Sequence, residues 1–483
     1  MPPRLDQSIS AQELATLVGP VEAVPGPRYA ALARRIRELV TTGALPSGSR
    51  LPAEREFAAA LGASRVTVAS AYRLLRAEGF AVTRHGSGTV TELPAASSAW
   101  RAPTTDPAQL DLAHAAPEAV PEVLDAYQQA LAALPAHVSG HGYAPSGLPE
   151  LRTAIADRFT ARGLPTDPDQ VVVTAGTGDA TAIVFQTLLQ PGDRVLVEHP
   201  TYPGALGMVD AAGGRCVPAP VDAADPDALV GAAALVARQS SPRMAFLMPD
   251  FSNPSGARLS AAGRRRLSAT LWQHGVLAVV DEVTAELHLD DGPLPPFAAG
   301  LPDAATVTVG GLSKVVWGGL RIGWLRTDAA LAAQVGAALG RRQLSVGVVD
   351  QLAATALLRR LDAVLEERRR TLRERREVLL EEVARVLPDW HAPRPAGGLS
   401  VWCRLPPGTS SAAVVAAAAP HGLLLAEGRA FGTGHAFDDC LRLPFTLPPD
   451  RLRTAVRLLA EVTAGLPARA AAHTGPARPA TVV

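Results

Sequence analysis

From about residue 110 to residue 465 the chain alternates short β-branched runs with helical patterns. The runs are 171–174, 194–197, 245–248, 276–280 and 305–309, and a helical pattern from Gly178 to Leu189 follows the first. A strand that is apolar at every position is buried on both faces. Separated by helices, such strands specify a parallel sheet with helices on each side. A long charged helix, about Leu361 to Leu387, then leads into a smaller α+β segment. With 483 residues, 47% of them hydrophobic, the chain can build this body and further domains besides.

The remainder divides by composition. Residues 1–27 read as a leader with a helix-like stretch at 11–15, and residues 28–92 as a compact basic module. Residues 93–108, rich in Pro, Ala, Ser and Thr, read as a linker, and 109–465 as the body. The tail 466–483 is aperiodic and reads as disordered. No charge-free apolar run is long enough to span a bilayer, and the first residues lack the apolar core of a signal peptide. Cys216, Cys403 and Cys440 are scattered and fit no metal spacing, so reduced thiols and no metal are expected. Net charge is zero over the chain, yet residues 28–92 hold 10 Arg against 5 Glu and no Asp, a balance of +5. A basic module on a neutral chain points to a polyanion as its partner.

Within that module Tyr29, Leu32, Ile36 and Leu39 fall at helical spacing. A second helix starts near Ala53, the turn Leu61-Gly62-Ala63-Ser64 follows, and Ser64 is placed to cap a third helix reaching about Ala77. Two helices joined by a tight glycine-bearing turn make the helix-turn-helix plan. The runs 79–84 and 89–91 around His85-Gly86-Ser87-Gly88 read as a hairpin wing. The stretches 43–56, 62–68 and 85–88 resemble the winged helix of the GntR family. The resemblance implies that Arg55, Ser64, Arg65, Thr67, His85 and Gly86 face double-stranded DNA. Arg65, at a helix start, can pair bidentately with guanine, and Ser64 and Thr67 can bind phosphate. Where the family often carries a second arginine, four residues after the first, this chain has Ala69.

The body holds the other singular feature. Of 46 Lys and Arg residues, 45 are Arg; the exception is Lys314. Arginine supplies charge but not a primary amine that can shed its proton and condense with an aldehyde. Lys314 is therefore a candidate Schiff-base residue for pyridoxal phosphate, or else a chance survivor of an Arg-biased composition. Four segments follow strands, where open α/β sheets bind ligands. They hold Lys314 with Arg321, then Asp281, then Asn253, and the turn Thr174-Ala175-Gly176-Thr177-Gly178. Taken singly, Asp281 reads more readily as a strand-end cap, Arg442 as a surface ion pair and Tyr202 as ordinary core.

Together, in this order, they resemble the fold-type I aminotransferases over about 110–465. The implied fold is a mixed, mostly parallel sheet between helices, with a smaller C-terminal α+β subdomain. The implied site has Lys314 for the aldehyde, Asp281 for the pyridine nitrogen and Asn253 for the phenolic oxygen. Thr177, Gly178 and Arg321 are implied at the phosphate, and Tyr202 stacked on the ring. Arg442 matches the arginine that holds a substrate carboxylate. Tyr143 matches a residue that reaches the partner subunit's phosphate. Two departures bear on chemistry: Val283 and Thr284 stand where a tyrosine is usual, and Gly311 where Ser or Thr contacts phosphate.

A GntR-type winged helix joined to such a body is the architecture of the MocR regulators. The resemblance implies a cytoplasmic transcription factor that binds pyridoxal phosphate and an operator with two half-sites. It also implies a head-to-tail homodimer and a small amine or amino-acid effector. A catalytically active aminotransferase with a tethering DNA-binding module is the alternative.

Overall fold

In a computed structural model, the structure describes residues 8–19, 27–41, 45, 46, 48–77, 80–84, 88–92, 106, 108–433 and 436–466. His85 and Gly86, most of the linker and the tail beyond 466 lie outside the described residues.

The N-terminal module holds helices Arg28–Thr41, Glu54–Leu61 and Arg65–Ala77, then strands β1 (Ala81–Arg84) and β2 (Gly88–Thr91), which pair antiparallel. Gly62 ends the middle helix in the left-handed region at φ 59°, donating its N–H back to Ala58 and Ala59. Ser64 then caps the next helix: its Oγ accepts the Thr67 N–H at 3.1 Å. Leu32, Ile36 and Val40 form the buried stripe of the first helix, with Phe57, Val68, Tyr72 and Leu75 facing them. Tyr29, placed in that stripe by its spacing, is exposed. The leader is not separate from this core. Ser10 and Glu13 form a capping box on helix Ala11–Val18, and Leu14 and Val18 are buried in the same cluster.

The body carries one seven-stranded sheet and one four-stranded sheet. The chain first lays down β3 (Leu110–Leu112), then β4 (Val171–Thr174), β5 (Arg194–His199), β6 (Arg215–Pro220), β7 (Met244–Leu247), β8 (Leu277–Asp281), β9 (Thr306–Gly311) and β10 (Gly323–Arg326). The last three are β11 (Ser400–Arg404), β12 (Leu423–Glu427) and β13 (Cys440–Pro444). The large sheet runs β4-β10-β9-β8-β7-β5-β6, parallel except for β10, which is antiparallel to both neighbours. Every residue of β4, β7 and β9 is buried. Val195, Val197 and Val279 pack on one face with Ala180 and Val184, while Leu196 and Val280 pack on the other with Leu267 and Leu271. Helices on both faces explain why these strands read as continuous apolar runs.

The small sheet runs β11-β13-β12-β3. Its edge strand β3 lies parallel to β12, immediately after the linker. The long helix Leu361–Val386 and helix Pro449–Ala464 close this subdomain, burying Leu372, Leu379, Leu452 and Leu459 in the main core.

Candidate functional site

The C-terminal ends of β4, β5, β7, β8 and β9 open on one side of the large sheet, and β13 faces them from the small subdomain. Lys314 lies three residues beyond β9. It is partly buried, and its Nζ donates to the Ala115 carbonyl at 2.8 Å. Burial, reinforced by the nearby Arg442 charge and opposed by Asp281, lowers its pKa to about 8. Asp281 ends β8 and is 5% exposed. Its Oδ1 accepts the Val283 N–H at 2.9 Å. Burial raises its pKa to about 6; that hydrogen bond and Lys314 work in the opposite direction.

A cradle forms where β4 turns into helix Thr177–Leu188. Gly176 caps the helix at φ 96°. The first-turn N–H groups of Thr177 and Gly178 point away from the helix, as N-terminal amides must. A Cβ on Gly323 would stand 2.4 Å from the Gly176 carbonyl carbon and 2.5 Å from the Thr177 nitrogen, so only glycine lets β10 approach this closely. The Thr177 hydroxyl is buried without a hydrogen-bond partner among the described residues. Arg321 sits beside Gly176 and donates to the Ala175 carbonyl at 2.6 Å. An orphaned hydroxyl, two helix-start amides and a guanidinium fit a phosphate group. Gly311 has a steric reason here. A Cβ at that position would stand 2.7 Å from Thr177 Oγ1 and 3.0 Å from the Ile322 carbonyl, so Thr177 occupies the space a serine would need.

Asn253 and Arg442 bridge the two subdomains. Arg442 Nη1 lies 3.1 Å from Asn253 Oδ1, and Nη2 donates to the Ala113 carbonyl. Guanidinium only donates, so the amide oxygen of Asn253 must face it, and the Asn253 NH₂ is turned the other way. Arg442 is buried, its guanidinium stacks 4.9 Å over the Phe431 ring, and burial lowers its pKa to about 10. Its Nε has no acceptor among the described residues. Tyr202 precedes helix Pro203–Ala211; burial, with the Asp281 charge adding, raises its phenol above the usual range. A Cβ on Gly204 would collide with its ring.

Tyr143 stands apart: its ring is exposed and stacks on His141 at 5.3 Å. Thr284 does not act as a shortened tyrosine, because its hydroxyl donates to the Asp250 carbonyl at 3.0 Å. One residue escaped the sequence reading. Glu198, in β5, is 1% exposed, accepts the Met248 N–H at 2.7 Å and the Ser252 hydroxyl at 2.5 Å, and has its pKa raised by burial to about 7. Its only trace in the sequence is an acid directly after the apolar run Val195-Leu196-Val197.

On the N-terminal module Arg55, Ser64 and Arg65 are exposed and Thr67 partly so, along the turn and the helix it starts. Ser64 Oγ and Thr67 Oγ1 lie 2.8 Å apart. Arg65 pairs loosely with Glu54 at 3.6 Å. Val66 is 74% exposed on the same turn of helix, an apolar side chain left in water beside Arg65.

Residues 109–459 match the model for aminotransferase class I and II, and residues 28–90 that for bacterial regulatory proteins of the gntR family. An uncharacterized HTH-type transcriptional regulator, YdcR of Escherichia coli K12, is 29% identical over 84% of this chain and 92% of its own length. The HTH-type pyridoxine biosynthesis transcriptional regulator PdxR of Corynebacterium glutamicum is 30% identical over 72% of this chain and 77% of its own. The α-aminoadipate aminotransferase LysN of Thermus thermophilus, solved with N-(5'-phosphopyridoxyl)-L-leucine, superposes with a TM-score of 0.69 at 27% identity, covering 74% of this chain and 93% of that one. The chain thus belongs to the class I and II aminotransferases by its body and carries a GntR module before it, the architecture of the MocR-type transcriptional regulators, with pyridoxal phosphate as cofactor.

Proposed function

We propose that the body senses an amine that carries a carboxylate and that the winged helix reports it as a change in operator binding. One observation carries this reading: Arg442, a buried cation with an unused Nε, joins Asn253 across the subdomain cleft that also holds Lys314. When bound, pyridoxal phosphate supplies an aldehyde that amines attack and a ring that takes up an electron pair. The chain's residues supply the rest. Thr177, Gly178 and Arg321 hold phosphate. Asp281 sets a carboxylate against the ring nitrogen. The Asn253 NH₂ donates to the phenolic oxygen, Tyr202 covers the ring, and Lys314 offers its amine. Arg442 takes the effector's carboxylate. In doing so it leaves the Ala113 carbonyl, one residue beyond β3, the strand that continues from the linker. Arg55, Ser64, Arg65, Thr67, His85 and Gly86 form the DNA face. Such a regulator works in the cytoplasm, as a head-to-tail homodimer on paired half-sites.

Arg442→Ala tests this directly. Operator binding of the variant should no longer respond to amino acids, while basal operator binding and cofactor uptake persist. A normal response would overturn the carboxylate assignment. The alternative, a working aminotransferase, draws support from the Lys314 amine, whose pKa of about 8 leaves free base accessible near neutral pH. Sustained keto-acid release from amino acids would favour it. Against it stands Thr284, whose hydroxyl is committed to a backbone carbonyl.

A further inference from the structure

Asn253 ends a loop that begins as β7 leaves the sheet. Within this loop Phe251 takes φ 54°, a left-handed conformation that side chains other than glycine, Asn and Asp rarely adopt. Such a backbone persists only where its surroundings over-determine it. Internal bonds contribute: Ser252 N–H donates to Ala257 at 2.9 Å and Gly256 N–H to Ser252 at 2.7 Å. They tie the loop to itself but do not place it over the site.

Arg258 and Arg264 hold the Asp250 carboxylate, and two further fastenings reach the loop from either side of β7 in the sheet. From β5, Glu198 grips the loop twice, accepting the Met248 N–H at 2.7 Å through one oxygen and the Ser252 hydroxyl at 2.5 Å through the other. From the segment after β8, Thr284 donates to the Asp250 carbonyl at 3.0 Å. The loop is therefore fastened at 248, 250 and 252, and residue 253 is the one that faces Arg442. Neither flanking group is a free participant in the site. The Thr284 hydroxyl is spent on Asp250, and Val283 has no polar side-chain atom. That leaves the Asn253 amide to be held in register.

We propose that Glu198 and Thr284 are positioning residues for Asn253, clamping its loop from either side of β7 so that the amide meets the cofactor at a fixed place. The inference rests on the reading that Asn253 donates to the phenolic oxygen. A carboxyl here is otherwise hard to explain. Burial raises the Glu198 pKa to about 7, and Asp281 adds to that rise, so its ionised form is costly in this strand. An apolar residue would avoid the cost but could not hold two donors.

The test uses Thr284→Val, which keeps shape and removes the hydroxyl, with Glu198→Ala, Glu198→Gln and Asn253→Ala. Three readouts are taken on the full chain: hydrogen exchange of amides 248–256 without cofactor, the dissociation constant for pyridoxal phosphate, and the pH midpoint of the bound cofactor's visible band. Thr284→Val and Glu198→Ala should speed exchange in that loop, leave helix Thr177–Leu188 unchanged, weaken cofactor binding roughly tenfold, and move the midpoint in the same direction as Asn253→Ala. Glu198→Gln keeps an acceptor for Met248 and a partner for Ser252, and should restore affinity to within about threefold of the parent. If Asn253→Ala moves the midpoint but Glu198→Ala and Thr284→Val do not, the positioning role is overturned while the assignment of Asn253 stands. If Asn253→Ala itself leaves the midpoint unmoved, that assignment falls, and this inference with it.

Discussion

Asp281, proposed above to face the cofactor's ring nitrogen, carries a carboxyl whose ionised form works against the fold. Folding raises its pKa from 3.8 to about 6, so the folded chain binds that proton more tightly than the unfolded chain does. Ionising it therefore lowers stability. The deficit is absent below the unfolded pKa, grows as pH rises between the two values, and is fully present above about 6. Asp281→Asn keeps an acceptor for the Val283 N–H and removes the charge. At pH 7 to 8, without cofactor, it should raise thermal stability by on the order of 1–3 kcal/mol while weakening cofactor binding. An unchanged or lowered melting temperature would show that the buried charge costs little. At pH 4 the gain should vanish. The candidate site residues legible in the sequence were those whose type is unusual for their place: a single lysine, an acid at a strand end, an asparagine before a proline. Glu198 was not legible, because the residues it grips lie 50 and 54 positions further along and only the sheet order brings them alongside.

Helix Arg65–Ala77 is the element whose boundary matters most. Gly62 stops one helix and Ser64 starts the next, leaving Arg65 at the first position with its side chain in water. Arg65→Ala should cost about 1–3 kcal/mol of operator binding and relax preference at one position in each half-site. Equal losses on operator and random DNA would refute base reading. Ser64→Ala removes a cap worth about 1 kcal/mol and a phosphate ligand, so it should weaken both kinds of DNA alike. Among elements, the three helices of the N-terminal module, the helix after β4 and the long helix Leu361–Val386 were legible by periodicity, and β4, β5, β7, β8 and β9 as continuous apolar runs. Strands β3, β6 and β10 were not. β6 contains Pro218 and Pro220, tolerated because the strand lies at an edge where N–H groups have no ladder partner. β3 spans only Leu110–Leu112, and β10 is short and runs against the parallel grain. The leader's sequence marks a helix but not its packing face, since two buried residues, Leu14 and Val18, are too few to reveal one.

At the scale of the molecule, the bonds that tie the small subdomain to the large one over the site include Thr201 N–H to the Phe431 carbonyl at 2.8 Å, Thr433 N–H to His199 Nε2 at 3.1 Å, and Arg442 to Asn253. A ligand that rearranges the last of these acts on the relation between subdomains. Linkage then fixes its size: if an amino acid changes operator affinity tenfold, operator DNA must change the affinity for that amino acid tenfold as well, about 1.4 kcal/mol. Tyr143, exposed on one copy, gains a role only if a second copy meets it. Sedimentation at micromolar concentration should show a dimer, and Tyr143→Phe should weaken cofactor retention; a monomer with full cofactor occupancy would contradict the shared site. The lone lysine has a practical corollary. Apart from its α-amine, the chain offers amine-directed reagents a single target, and a protease that cuts after lysine finds one bond, separating residues 1–314 from 315–483. A cofactor fixed at Lys314 by borohydride reduction of its imine would block that cleavage, whereas an unreduced imine hydrolyses once the chain unfolds. Under denaturing conditions the fraction of chain left uncut would then report site occupancy without any engineered label.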